Sequence, residues 1–516
     1  MRAAAKTADG TRLLRGLGVA VAVLVGVGLR LAVSSPLWLD EALSVNIASL
    51  PLADIGGALR SDGHPPLYYW LLHGWMELVG DSDRASRSLS FVLGLAALPV
   101  GWMLGRRVGG RAAAAWTVVL LSVSPYMVRY STEARMYSLV MLLVLLGGVL
   151  VLDALVSPNG WRLAGIAALS ALLVYSQYWA FYLLASLLVV LAWRWWSDPD
   201  QRKAVVRVGA AVAAGGATFV FWVPAFIDQL THTGTPWSLP ARPTQVVADT
   251  VLDLGGAGLL TFSEGVLFGL LMAFLVAVSV LTTRPAPGEA AQLTAHGDRL
   301  TREIAAVAFG TLAIGAVVGF VGRTAFSSRY AATVVPLLLV LAAVGMTRLP
   351  KGWPMIGCAL GVAVLGPVSS ARVATLDRTE SADLAAVIVE RSEPGDAVFV
   401  CPDQVAVSLE RALRDAGSDL PVYPYPDLDG DPRFVQWRDY EERNDAADPA
   451  ALAAEVDERV DGAVWLVTNA SYRTFEGDCE QLTETLSELR GALELARDQP
   501  SERAFEHADL LRFGTG

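Results

Sequence analysis

Lysine is almost missing from this 516-residue chain, which has only Lys6, Lys203 and Lys351. Charged residues of every kind reach 18% and hydrophobic residues 53%, whereas soluble domains carry about 25% charge. So little charge argues against one large cytosolic domain, and the net charge of -11 argues against nucleic acid as a partner. Cysteine is equally scarce. The three present show no CxxC spacing, and no HExxH occurs, so the common zinc patterns are absent. Cys358 sits in an apolar run and reads as a small core residue. Cys401 and Cys479 could pair if the C-terminal region faces an oxidising exterior, although no sequence rule brings them together.

What the chain does have is long apolar runs. Segments such as 17–33 and 91–104 are nearly free of charge, and runs of about 17–22 such residues cross about 30 Å of hydrocarbon. Spans are expected near 17–34, 86–105, 112–128, 134–152, 161–175, 178–194, 205–225, 262–282, 303–321, 331–347 and 353–369. The expected fold is a polytopic α-helical membrane protein with about 11 transmembrane helices, multi-pass in the cell membrane among its lipids. Alternate loops hold most of the basic residues, among them Arg2, Lys6, Arg12 and Arg15, then Arg106, Arg107 and Arg111, then Arg194, Arg202 and Lys203. Basic residues favour the cytoplasmic side, so the N-terminus is expected inside and, after an odd number of spans, the C-terminal region outside.

Residues 1–370 carry 26 basic against 19 acidic side chains, whereas 371–516 carry 14 against 32. The two parts therefore suit different surroundings, a membrane domain over 1–370 and a soluble, extracytoplasmic α/β domain over 371–516. In the soluble part 397–400 and 463–467 read as buried strands, and 405–416 and 476–497 as helices. Two exterior loops are long. Residues 35–85 contain amphipathic pieces at 41–50 and 66–80, and 228–261 is rich in Pro, Gly and Thr, as a cover over a site would be.

Polar side chains gather on the expected exterior side. Asp40-Glu41 follows the first span; acids near hydrocarbon serve a site or find a partner, and Asp40 as a helix cap is the plainer reading. Asp62-Gly63-His64-Pro65-Pro66-Leu67-Tyr68-Tyr69 places His64 beside the start of a helix. Glu133-Ala134-Arg135-Met136-Tyr137 opens another span; Glu133 and Tyr137, four apart, would share a helical face, with an Arg129–Glu133 ion pair as the bland alternative. Arg329-Tyr330 precedes a span containing Pro336, and an arginine there either snorkels to the surface or binds an anion such as phosphate.

On these motifs the chain resembles the GT-C superfamily of integral-membrane glycosyltransferases over roughly residues 15–370. The likeness is to the branch of protein O-mannosyltransferases and aminoarabinose transferases. It rests on Asp40-Glu41, His64-Pro65-Pro66-Leu67-Tyr68, Glu133-x-Arg135-x-Tyr137 and Arg329-Tyr330. The resemblance implies transfer of a sugar, with inversion, from a polyprenyl-phosphate donor to a glycan, lipid or protein acceptor at the exterior face. It implies Asp40 as general base, with Glu41 beside it in the catalytic pair. Glu41 and Glu133 would position acceptor or sugar, or a divalent cation (Mg or Mn) in branches that use one. Arg135, Arg329 and His64 would meet the donor phosphate, with Tyr68, Tyr137 and Tyr330 around the substrates. A lipid or solute transporter is the alternative function, but it calls for charged or Gly/Pro-broken spans at the midplane, and the ionisable residues here cluster at span ends.

Overall fold

The computed structural model describes the whole chain except residues 1, 237, 241, 258–262, 284–297, 470–471, 474–476, 492, 496–503 and 515–516. It begins with α1 (Arg2–Leu31), followed by α2 (Leu39–Ala48), α3 (Leu52–Asp62) and α4 (Leu67–Val79). Next come α5 (Asp83–Val123), α6 (Pro125–Tyr130), α7 (Tyr137–Val156), α8 (Gly160–Val174), α9 (Ala180–Ser197) and α10 (Arg202–Ala217). Then follow α11 (Val223–His232), α12 (Pro243–Leu254), α13 (Ser263–Leu281), α14 (Arg299–Val321), α15 (Val335–Arg348) and α16 (Trp353–Thr375). The C-terminal region holds β1 (Ala397–Cys401), β2 (Val422–Pro424), β3 (Val464–Thr468), β4 (Leu493–Leu495) and β5 (Asp509–Phe513), with α17 (Ser381–Arg391), α18 (Asp403–Asp415), α19 (Tyr440–Asp445), α20 (Pro449–Arg459) and α21 (Asp478–Arg490) among them.

Packing divides the chain into two units: Met1–Val33, Arg87–Val223 and Pro240–Thr375 form one, and Ser34–Ser86, Pro224–Leu239 and Leu376–Gly516 the other. The second unit is discontinuous where the sequence suggests one boundary at 370/371.

In the first unit, seven helices among the described residues are long and apolar enough to cross a membrane, and three more, 16–31, 160–174 and 335–348, are shorter and apolar. Many outward side chains are large and hydrophobic, Leu24, Phe221, Val321 and Trp353 among them, as lipid contact requires. Helix α5 runs through two expected spans and bends at Gly110, whose φ is 80°. The span expected at 112–128 breaks at Ser124-Pro125, where proline has no N–H to continue the ladder. That break strands carbonyls at the end of α5, and Arg30 of α1 collects them. Its guanidinium donates to Leu121 O (3.1 Å), Ser122 O (2.8 Å) and Gly26 O (2.8 Å), and to Ser131 Oγ (2.6 Å). The helices approach closely here because residue 26 is glycine: a Cβ would lie 2.3 Å from Ser122 O.

In the second unit the sheet order is β2-β1-β3-β5-β4, with β2, β1 and β3 parallel and β5 and β4 antiparallel. Its core places Val398, Val400, Trp465, Val467 and Leu510 against Leu384, Ile388 and Leu409. Cys401 and Cys479 form a disulfide. The helix expected over 476–497 ends at Arg490, because Gly491 has φ 85° and the chain turns into β4. The stretch 228–261 is not one irregular cover: α11 and α12 occupy much of it, and residues 258–261 lie outside the described residues.

Candidate active site

The second unit holds Asp40, Glu41, His64 and Tyr68. Helix α2 starts at Leu39, so Asp40 is not its cap; Trp38 takes the N-cap position and makes no side-chain capping bond. Glu506 fills that role instead, its two carboxylate oxygens accepting from Leu39 N at 3.0 and 3.1 Å. Glu41 is wholly buried, and Arg378, also buried, donates to its Oε2 at 3.2 Å. Asp40, between these two fixed neighbours, is half-buried. Burial, then the charges of Asp40 and Glu41, push the Glu506 carboxyl up to about 8, against the lowering effect of the Leu39 amide.

His64 sits just past the end of α3. Gly63, at φ 84°, makes the left-handed step that closes α3 and brings His64 Nδ1 to 2.8 Å from Asp62 Oδ2. The same oxygen accepts from Tyr69 OH at 2.8 Å. Asp62 thereby fixes the imidazole, and α11 holds the turn from the other side through Gln229 Nε2, which donates to Leu59 O (2.7 Å) and His64 O (3.2 Å). Tyr68 is fully buried, edge-on to Tyr69 with centroids 6.3 Å apart.

The first unit holds Glu133, Arg135, Tyr137, Arg329 and Tyr330. Glu133 and Tyr137 do not share a helical face: residues 131–136 form a turn closed by Arg135 N to Glu133 O (2.8 Å), and α7 begins only at Tyr137. Arg129 organises this turn. It donates to Glu133 Oε1 at 3.0 Å and lies 3.6 Å from Asp253 Oδ1, and Tyr130 OH donates to Asp253 Oδ2 at 3.0 Å. The bland ion-pair reading of Arg129 and Glu133 therefore holds, enlarged by Asp253. All three groups are buried, and among the described residues Glu133 Oε2 receives no hydrogen bond. Arg135 is buried too, and Ser90 Oγ donates to its carbonyl at 3.2 Å. Tyr126, Tyr130 and Tyr137 pack beside the cluster, the first pair tilted and the second edge-on, with centroids 4.4 and 4.9 Å apart. Tyr126 OH reaches the backbone oxygens of Ser328 (3.1 Å) and Arg329 (3.2 Å), so the 3-10 turn carrying Arg329 and Tyr330 is tied to α6. Tyr330 stacks on Trp179 at 5.7 Å.

The sequence reading missed Arg30, Asp253, Arg378 and Glu506. A lone arginine in an apolar span and an acid in the apolar pattern of α12 were signals; for Arg378 and Glu506 no local signal exists. Among the described residues no group of three or more His, Cys, Asp or Glu side chains is placed to hold a metal ion.

The family described as dolichyl-phosphate-mannose-protein mannosyltransferase matches residues 63–222. The fold is similar to ArnT from Cupriavidus metallidurans in the apo state, at 15% identity over 98% of both chains and a TM-score of 0.60. The chain therefore shares the fold of this membrane enzyme over nearly its whole length. The same enzyme bound to undecaprenyl phosphate is also similar to it, at 15% identity, 98% of both chains and a TM-score of 0.56. A sequence comparison with curated proteins finds no match. The first unit also contains an apolar cavity of about 120 Å³ among α7, α8, α9 and α14, lined by Val144, Leu173, Leu184, Leu191 and Val307. The ion pair of Arg194 with Glu303, 2.9 Å, lies at its polar end.

Proposed function

We propose that the protein moves a sugar from a polyprenyl-phosphate donor to a hydroxyl of a glycan, lipid or protein acceptor, with inversion, at the exterior face of the cell membrane. Asp40 is the general base. It takes the acceptor proton while the acceptor oxygen bonds to the anomeric carbon and the bond from that carbon to the phosphate oxygen breaks. Negative charge then grows on the departing phosphate, and preplaced cations stabilise it. By the resemblance, Arg135 and Arg329 of the first unit and His64 of the second are the groups assigned to that task, and Tyr68, Tyr137 and Tyr330 are assigned to the substrates. Glu41, held by Arg378, keeps Asp40 in place, and Glu133 meets a sugar or acceptor hydroxyl through its second oxygen.

The observation that carries this reading is Asp40 itself: in a GT-C fold it is the member of the acid pair that stays partly exposed while its neighbour is locked in an ion pair. The test is sugar release from a panel of polyprenyl-phosphate sugars by the purified protein in lipid. Asp40→Asn should lower kcat by ~10³-fold, within the range for loss of a general base, without loss of folding. Near wild-type turnover by that variant would remove Asp40 from the role. Exterior placement is supported by the disulfide, which persists in oxidising compartments.

A further inference from the structure

We infer that Glu506 is a positioning residue of the acid-pair site: by holding the first amide of α2 it sets the direction in which Asp40 presents its carboxylate. The inference rests on the reading of Asp40 as the base. Helix α2 brings no cap of its own, and its leading N–H groups need acceptors. The acceptor it finds stands 467 positions later in the chain, buried, with both oxygens on Leu39 N.

Glu506 is itself tightly held. Its own N–H donates to Arg378 O at 2.9 Å, and its carbonyl accepts from Glu380 N at 3.2 Å, so two distant segments run side by side here. Those segments grip the start of α2 at three places, on either side of Asp40. Phe505 meets the Trp38 indole edge-on at 5.3 Å, Glu506 takes the Leu39 amide, and Arg378 takes the Glu41 carboxylate. Asp40 is the residue spanned by these grips. Tyr472 and Thr379 also hydrogen-bond to the Glu506 carboxyl.

The location fits a general feature of open α/β sheets, which present their functional crevice beyond the carboxyl ends of parallel strands. Glu506 lies just before β5, whose first residue pairs with Thr468 at the carboxyl end of β3. The loop after β2 also reaches α2, its Arg433 carbonyl accepting from Asn46 Nδ2 at 2.8 Å. Helix α2 thus occupies the edge of the sheet where a ligand is expected, and it carries Asp40 there.

The experiment compares wild type, Glu506→Ala, Glu506→Gln and Tyr472→Phe, each as the full chain in lipid with a polyprenyl-phosphate sugar that wild type turns over. Glu506→Ala should lower kcat by about 10- to 100-fold with the donor KM within about twofold, because misdirecting a base costs rate and not ground-state binding. Glu506→Gln keeps an acceptor for Leu39 N and should recover kcat to within about threefold of wild type. Wild-type kcat in folded Glu506→Ala, a change confined to KM, or a glutamine variant no better than alanine overturns the inference. If Glu506→Ala does not fold, Tyr472→Phe decides, with a kcat loss of about 3- to 10-fold expected and none overturning. Hydrogen exchange of the peptide containing Leu39 gives a readout that needs no donor: the amide should exchange faster in Glu506→Ala and stay protected in Glu506→Gln. Unchanged exchange counts against Glu506, whereas a folded wild type that turns over no donor counts against the glycosyltransfer reading alone.

Discussion

At Glu506 a geometric need and an electrostatic cost meet in one side chain. Burial beside Asp40 and Glu41 raises its carboxyl to about 8, far above its usual range near 4.5, so the proton stays on at neutral pH. A raised carboxyl stabilises the fold fully below about pH 4.5, and that contribution is lost as pH rises through 8. Asp403 acts in the same sense: burial lifts it to about 6 although the Tyr440 hydroxyl, 2.6 Å away, works to lower it. Thermal unfolding from pH 5 to pH 8 should therefore show wild type losing stability relative to Glu506→Gln, by up to ~1.4 kcal/mol per pH unit. Parallel curves for the two proteins would mean that Glu506 keeps its charge in the fold. Asp40, Glu41 and His64 could be picked out in the sequence because each stands in a short motif on the expected exterior side. Glu506 could not, since it is one of 32 acids in the C-terminal part and owes its importance to a partner at Leu39.

Helices were largely legible because an apolar run long enough to span hydrocarbon says where a helix lies, if not where it bends. The break before Pro125 and the kink at Gly110 follow from backbone chemistry, but the repair of that break comes from Arg30 on another helix. Arg30→Met should leave three carbonyls and the Ser131 hydroxyl without their buried donor, costing ~3 kcal/mol or more. Lower yield of membrane-inserted protein and a lower melting temperature in detergent would register it; wild-type stability would show that water fills the gap. Short helices were harder to foresee. Helix α3 went unseen because its exposed face mixes charge and glycine, and its end depends on one left-handed residue. Gly63→Ala places a Cβ at φ 84° and 3.0 Å from Thr233 Oγ1, at a cost of ~1 kcal/mol. The resulting shift of His64 relative to Asp62 should raise the donor KM in turnover assays more than it lowers kcat.

Across the molecule, composition set a lipid-suited part apart from a charged one, but it could not show that the second unit recruits 34–86 and 224–239 from between the spans. Those recruitments depend on pairs such as Arg438 with Asp228 (3.1 Å), His232 with Asp439 (2.8 Å) and Arg411 with Asp83 (3.0 Å), which no local pattern announces. The disulfide closes 78 residues of this unit, and on the chain-entropy account it contributes about 4 kcal/mol. Reduction, or Cys401→Ser with Cys479→Ser, should lower the melting temperature of the soluble unit and leave the membrane helices folded, as circular dichroism during heating would reveal. Protease added outside sealed right-side-out vesicles should cut this unit, and complete protection would reverse its placement.

Because the second unit is assembled from three separated stretches, the order of synthesis bears on when the protein becomes competent. The segment bearing Asp40 leaves the ribosome early, and roughly 290 residues then separate Ser86 from Leu376. At roughly 5–20 residues per second, the acid pair waits about a quarter of a minute to a minute before its partners begin to emerge. Arg378 arrives first and Glu506 follows 128 residues later. A nascent chain thus has its membrane helices long before the acceptor of the Leu39 amide exists, and termination before Glu506 leaves α2 without it.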